Sequence, residues 1–421
     1  MERRVHGTLH GAVTPPPSKS QAHRLLICAA LGTEPCSIVC SSVNDDIMAT
    51  MCCLNALGAK ITFSSGVFDV HPVSLTKGGT LDCGESGSTL RFLMSVAAVL
   101  GAEATFTGGG KLPQRPMGAL TDVLAAHGMS FERHSADELP VTCSGTLQGG
   151  KFTLPGNVSS QYLTGLLFAL PLAAEDSEIE VTGGLTSASY IDMTIETLRI
   201  AGISVERRGN IFTIKGNQRY RMPRRVVVEG DWSSAAFWVV AGVIGKSPVT
   251  ICGMNNGSLQ GDSAIIDHLR SMGAFISIDD DKVIAMPSHL FGAELDCMDT
   301  PDLVPVLSVA AAVAQGTTAF TNVGRLRFKE SDRLAAMKSL LEAFGIASII
   351  GEDTFTVYGG EPAALAPVDS FGDHRIAMSA AVMSTVAGGV TTIDGSGCVA
   401  KSYPLFFEDF AALGGVVEKV V

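Results

Sequence analysis

The sequence predicts an α/β protein made of two similar halves, each assembled from three repeats. The first observation is that six amphipathic runs end alike: LNALG to Gly58, LAAHG to Gly128, LRIAG to Gly202, LRSMG to Gly273, LEAFG to Gly345 and FAALG to Gly414. The glycines are spaced by 70, 74, 71, 72 and 69 residues, the signature of a repeated supersecondary unit. The second is that each repeat contains an earlier, more apolar run opening at small polar or acidic residues. The third is bulk composition: 421 residues, 46% hydrophobic and 17% charged, which describes a globular chain of two or three domains.

Within a repeat the elements follow in a fixed order. The openings are SKSQAHRLL, ESGSTLRFLM, SSQYLTGLLF, DWSSAAFWVV, TPDLVPVLSV and GDHRIAMSAA, whose Ser, Thr, Asp and Glu suit helix N-caps. Each apolar helix leads to a strand such as ATFTG, EIEVTG, VTICG, TAFTNV or VTTIDG. An amphipathic helix follows and stops at the repeat's glycine, a C-cap signal. A second β-like stretch comes next, AKITF, MSFE, ISVE, AFISI, IASII or GVVE, and one further strand is expected. Three units per half place the hinge near RYRMPRRVVVEG, residues 219–230. A stacked solenoid is the alternative. Opening helices this apolar predict burial on all sides, which favours closed domains.

Charge and cysteine content exclude several functions. The formal net charge of −12 argues against a nucleic-acid binder, while local potential still permits a small anionic substrate. MERRVHGTLHG has no apolar core of a signal peptide, and no apolar run approaches the roughly 18 residues of a membrane span. The ten cysteines form no C-x-x-C and read as reduced thiols, so a cytoplasmic location and no metal site are expected. GGGKLPQR lacks the Ser or Thr that should follow Lys111 in a phosphate loop, and no G-x-G-x-x-G opens a helix after a strand.

Basic residues recur at the helix entrances, where the helix dipole favours acids. Lys19 and Arg24 lie in the first opening, Arg91 in the second and Arg375 in the sixth. Lys329 and Arg333 are expected to open an amphipathic helix on one face, as i and i+4. Arg115 precedes Pro116, and Lys401 precedes Ser402, Tyr403 and Pro404, in the manner of further helix starts. A single such cation is a solvated face. Their recurrence predicts a site where helix N-termini and bases hold phosphate or carboxylate groups. Asp302, in TPDLVP, reads locally as an acid at a helix start.

Taken together, PSKSQAHR, ESGSTLR, QRPMG, SSQYLTGLL, PDLVP, RFKESDRL, GDHRIAMS and AKSYPLFF resemble the 5-enolpyruvylshikimate-3-phosphate synthases over essentially the whole chain. The resemblance implies two domains, each of three βαβαββ repeats, with the active site in the interdomain cleft. It sets an N-terminal domain at 15–226 and a C-terminal domain at 1–14 plus 227–421. It implies transfer of the enolpyruvyl group of phosphoenolpyruvate to the 5-hydroxyl of shikimate 3-phosphate, with release of phosphate. No cofactor, metal, nucleic acid or membrane is implied, and a monomer is expected.

The same resemblance implies the site. Lys19, Ser20, Arg24, Ser159, Ser160, Gln161, Ser187, Tyr190, Asp302 and Lys329 fall around shikimate 3-phosphate. Lys19, Gly87, Arg115, Gln161, Arg333, Arg375 and Lys401 fall around phosphoenolpyruvate. Asp302 is implied as the base at the 5-hydroxyl and Glu330 as the acid at the methylene carbon, a role that calls for a raised pKa. Lys19 is implied as an aid to proton transfer or a stabiliser of charge. Glu85 and Arg325 stand where, or near where, Asn is usual. The alternatives are a UDP-N-acetylglucosamine enolpyruvyl transferase, which usually offers a cysteine near LPQRPMG where this chain has none, and a non-catalytic anion-binding repeat protein.

Overall fold

The computed structural model describes residues 1–156, 159–184 and 187–420. The chain divides into two compact units: an inserted unit, Lys19–Val228, and a split unit, Met1–Ser18 with Glu229–Val421. The inserted unit carries α1 (Lys19–Ala30), α2 (Asp45–Ala56), α3 (Gly87–Val99), α4 (Gly118–Ala125), α5 (Ser160–Ala169) and α6 (Ala188–Ile200). The split unit carries α7 (Trp232–Ile244), α8 (Ile265–Ser271), α9 (Val304–Val313), α10 (Arg333–Ala343), α11 (His374–Met383) and α12 (Phe406–Ala412).

Among the described residues each unit has three four-stranded sheets, one per repeat. In the sheet of Gly79–Asp82, Ala104–Thr107, Val141–Gly145 and Met129–Arg133, the first pair is parallel and the others antiparallel. That is a βαβαββ unit: α3 crosses over between the parallel pair, and a hairpin completes the sheet. Two of the other five repeats are continuous in the same way, and three borrow a strand. Arg225–Val227 supplies the parallel edge of the first repeat, beside Cys36–Val39. Gly11–Val13 does the same for the fourth, beside Val249–Cys252. Glu2–His6 lies between Thr391–Asp394 and Val416–Val420 in the sixth. The N-terminal segment therefore gives the split unit two strands in two different sheets. Gly7 and Gly11, at φ 114° and 101°, turn the chain between them.

The six repeat-ending glycines all adopt positive φ, from 75° to 112°. They terminate α2, α4, α6, α8, α10 and α12 by the left-handed conformation that a Cβ disfavours. The opening helices are buried nearly all round, as their lack of polar faces requires; in α7 all but two residues are buried. In the split unit α7, α9 and α11 pack on one another. Each unit has one continuous apolar core to which all three of its repeats contribute. Such a core belongs to a closed domain, not to a stack.

Candidate functional site

In the inserted unit the buried Arg24 is held by neutral acceptors. Arg24 is buried on α1. Its Nε donates to Thr194 Oγ1 at 2.9 Å, Nη1 to Ser20 O at 2.7 Å and Nη2 to Tyr190 O at 3.0 Å. The rings of Phe92 and Tyr190 lie 5.3 and 5.9 Å from its guanidinium carbon. Burial pulls its pKa down to about 10, which leaves it charged at neutral pH. This places Ser20, Arg24 and Tyr190 together, with Ser187 at the residue before α6, at φ 57°. Lys19, the first residue of α1, meets Asp46 at 3.0 Å.

A second group surrounds the entrance of α3. Ser86 caps the helix by accepting from Thr89 N at 3.2 Å, which makes Gly87 its first residue. Arg91 Nη1 donates to Gln161 Oε1 at 2.6 Å, and Gln161 Nε2 donates to Ser88 Oγ at 3.0 Å. Ser159 caps α5 by accepting from Gln161 N at 3.3 Å, with Ser160 next. A Cβ on Gly87 would stand 3.0 Å from Arg115 Nη1, 3.4 Å from Arg91 Nη1 and 3.6 Å from Gln161 Oε1. Gly87, Arg115 and Gln161 thus lie side by side, with Arg91 and Ser88 next to them. Arg115 stands ahead of α4, which begins at Gly118 after an uncapped Met117 and not at Pro116.

In the split unit the cations meet carboxylates. Arg333 is 1% exposed and donates to three of them: Asp302 Oδ1 at 2.7 Å, Glu330 Oε2 at 2.6 Å and Asp373 Oδ2 at 2.8 Å. Lys329 Nζ lies 3.4 Å from Asp302 Oδ1. Arg375 donates from Nη1 to Asp302 O at 3.0 Å and from Nη2 to Ser233 Oγ at 2.7 Å, and it lies 3.4 Å from Asp302 Oδ2. Burial alone would raise the pKa of Asp302, but Arg375, Lys329 and Arg333 hold it well below the usual carboxylate value. Burial opposes the charge of Arg333 too; Asp373, Glu330 and Asp302 outweigh it and raise its pKa well above the ordinary value. For Lys329 burial wins, and its pKa is lowered.

Helix starts differ from the sequence reading in this unit. Asp332 caps α10 by accepting from Ala335 N, so the helix begins at Arg333. Lys329 precedes it and is not its i, i+4 partner; the two converge on Asp302 through the intervening turn. Lys401 closes a 3-10 turn, Ser396–Lys401, and does not open α12. Its Nζ donates to Gly372 O at 2.9 Å, next to the Asp373 cap of α11. Arg325 donates to Met298 O, and the Glu85 carboxylate packs against Gly110.

The residues that sequence reasoning missed are Asp373, Ser233, Asp262 and, in the inserted unit, Asp46. Asp373 was legible only as the cap in GDHR. Among the described residues no group of three His, Cys, Asp or Glu side chains is placed to hold a metal ion. None of the described helices is long and apolar enough to cross a membrane.

Two units of three βαβαββ repeats each, with guanidinium groups at helix entrances, define a repeat fold of the enolpyruvyl-transferase class. The EPSP synthase (3-phosphoshikimate 1-carboxyvinyltransferase) family model matches residues 4–410. The 3-phosphoshikimate 1-carboxyvinyltransferase of Clostridium kluyveri is 42% identical over 414 residues, 98% of this chain and 96% of that protein. Its counterpart in Clostridium acetobutylicum is 40% identical over 417 residues, 98% and 96% of the two chains. EPSP synthase from Acinetobacter baumannii superposes with a TM-score of 0.84 at 25% identity, covering all of both chains. The enolpyruvyl transferase NikO from Streptomyces tendae shares the fold, with a TM-score of 0.78 at 20% identity over 99% and 98% of the chains. The chain belongs to the EPSP synthase family.

Proposed function

We propose that the protein transfers the enolpyruvyl group of phosphoenolpyruvate to the 5-hydroxyl of shikimate 3-phosphate, with release of phosphate. This is a step of the shikimate pathway to chorismate and the aromatic amino acids. The observation that carries the residue assignment is the convergence of Arg333, Arg375 and Lys329 on Asp302. A carboxylate ringed by three cations stays ionised beside bound anions and can accept a proton as the hydroxyl attacks.

In this reading Asp302 removes the 5-hydroxyl proton as that oxygen bonds to C2 of phosphoenolpyruvate. Glu330 delivers a proton to C3, giving a tetrahedral adduct. Loss of phosphate and of one methyl proton then restores the double bond. Arg115, Arg333, Arg375 and Lys401, with Gln161 and Gly87, receive phosphoenolpyruvate. Ser20, Arg24, Ser159, Ser160, Gln161, Ser187, Tyr190 and Lys329 receive shikimate 3-phosphate, and Lys19 serves both. The protein is expected to act as a cytoplasmic monomer.

Phosphate release from phosphoenolpyruvate is the test, with shikimate 3-phosphate and UDP-N-acetylglucosamine offered separately. Release with the first alone is expected. Release with the second, or with neither, overturns the assignment.

A further inference from the structure

Asp262 has no part in the chemistry above, yet it is 3% exposed and aimed at the same cluster. It sits in the 3-10 turn Gly261–Ala264 that leads into α8. Its Oδ2 accepts from Ser233 Oγ on α7. Ser233 Oγ in turn accepts from Arg375 Nη2 at 2.7 Å. A serine hydroxyl has one proton, so an oxygen already occupied by the guanidinium turns that proton toward the carboxylate. The result is a directed chain from Asp262 through Ser233 and Arg375 to Asp302, whose backbone oxygen accepts from Arg375 Nη1.

The charged groups facing Asp262 come from three other elements. They are Asp231 at the start of α7, Asp302 in the turn before α9, and Arg375 on α11. His268, on α8, is turned instead toward Thr300 Oγ1 at 3.1 Å. The balance at Asp262 therefore has two like charges, one opposite charge and little solvent. Burial first, then Asp302, push its carboxyl up to about 6, against the pull of Arg375.

We propose that Asp262 is a positioning residue for anion binding: through Ser233 it fixes the Arg375 guanidinium, and its negative charge opposes the anion that Arg375 receives. Phosphoenolpyruvate then binds most tightly to the form in which Asp262 is protonated. By linkage, binding and protonation favour each other equally. The inference rests on the enolpyruvyl-transfer reading, in which Arg375 meets phosphoenolpyruvate.

The test is Asp262→Asn, which keeps an oxygen for Ser233 and removes the charge. The KM for phosphoenolpyruvate is measured at saturating shikimate 3-phosphate from pH 5.5 to 8.5, in wild type and variant. The substrate's own titration enters both proteins alike, so the ratio of wild-type to variant KM is the readout. It is expected to be near one at the acid end and to rise to about fivefold or more above pH 7. A ratio flat across the range overturns the charge role. If that variant does not fold, Ser233→Ala carries the test. Cutting the link should raise the KM for phosphoenolpyruvate about fivefold or more with little change in kcat, and Ser233→Thr should restore it. An unchanged KM in Ser233→Ala overturns the positioning role. No phosphate release by the wild type would instead be the failure of the enolpyruvyl-transfer reading.

Discussion

Arg24 and Arg91 of the inserted unit and Arg333 and Arg375 of the split unit are held in different ways. In the inserted unit Arg24 meets a threonine hydroxyl and two backbone oxygens, and Arg91 meets a glutamine and the Pro116 carbonyl at 3.3 Å. Neutral acceptors orient a guanidinium without themselves carrying a balancing charge. In the split unit Arg333 meets three carboxylates, and Arg375 meets one carboxylate directly and another through a serine. There the charge is largely balanced, and carboxylates that can exchange protons are fixed in place. In the reading proposed above both clusters receive anions, and the proton chemistry falls to the second.

The largest expected effect breaks the proton side alone. Asp302→Asn should lower kcat on the order of 10²–10⁴-fold, the usual range for a general base. Shikimate 3-phosphate affinity should change little, because Asn keeps the size and an accepting oxygen. Calorimetric titration of shikimate 3-phosphate beside steady-state turnover separates the two quantities. Activity within about threefold of wild type would remove Asp302 from the role.

Next comes a paired comparison of stability. Asp373→Asn takes one carboxylate from the buried Arg333, and breaking a buried pair costs about 3 kcal/mol. Asp46→Asn removes the partner of Lys19, whose side chains are 18% and 16% exposed, and should cost about 1 kcal/mol or less. Denaturant unfolding of both variants measures the gap. Equal costs would mean that the split unit's carboxylates are no more deeply coupled than a partly exposed pair.

A smaller effect sharpens the inserted unit's part. The Cβ of Gly87→Ala would meet Arg115 Nη1 at 3.0 Å, so the guanidinium must shift by a few tenths of an ångström. Such a shift should weaken phosphoenolpyruvate about tenfold, since a displacement of about 1 Å can cost on the order of 10²-fold. Shikimate 3-phosphate should keep its affinity, because Arg24, Ser20 and Tyr190 stand on α1 and α6. Equal weakening of both ligands would point to a folding defect. No weakening of either would take Gly87 out of the pocket.

What the sequence disclosed follows from the range of the interactions involved. Helix periodicity and the left-handed glycine stops are local, so the six repeats could be read directly. Strand exchange was not legible: GAV at 11–13 is three residues long, and its pairing with Val249–Cys252 is set more than 200 residues away. The start of α10 was misplaced because Lys329 and Arg333 have helical spacing, while the Asp332 cap that stops the helix short carries the stronger local signal. The roles of Lys19, Asp302 and Arg375 came through family resemblance. Asp262 belongs to no local pattern, Ser233 was legible only as part of the DWSSAAFWVV opening, and tertiary packing alone brings them to Arg375.

The last prediction concerns mild acid, to which the two units should respond differently. In the inserted unit His23 is buried on α1, with Nδ1 2.7 Å from Thr50 Oγ1. Burial, then Lys19 and Arg24, hold its pKa well below 6.5, so the folded unit keeps it neutral. An unfolded chain protonates it below pH 6.5. The stability owed to neutral His23 is therefore full above that pH and is lost as pH falls toward the folded value, by up to about 1.4 kcal/mol per pH unit. In the split unit His268 works in the same direction, its pKa lowered chiefly by burial. Asp262 opposes it. With a folded pKa raised to about 6, its contribution is full below the unfolded value near 3.8 and is lost as pH rises through 6, so acidification from 7 to 5 stabilises that unit. Hydrogen exchange at pH 7 and pH 5, corrected for the intrinsic rate, should show protection falling in α1 and α3 and holding in α7 and α9. In His23→Gln, which is neutral at every pH, the loss in α1 and α3 should disappear. Equal losses in both units of the wild type, or a loss that persists in the variant, would show that His23 does not set the acid response of its unit.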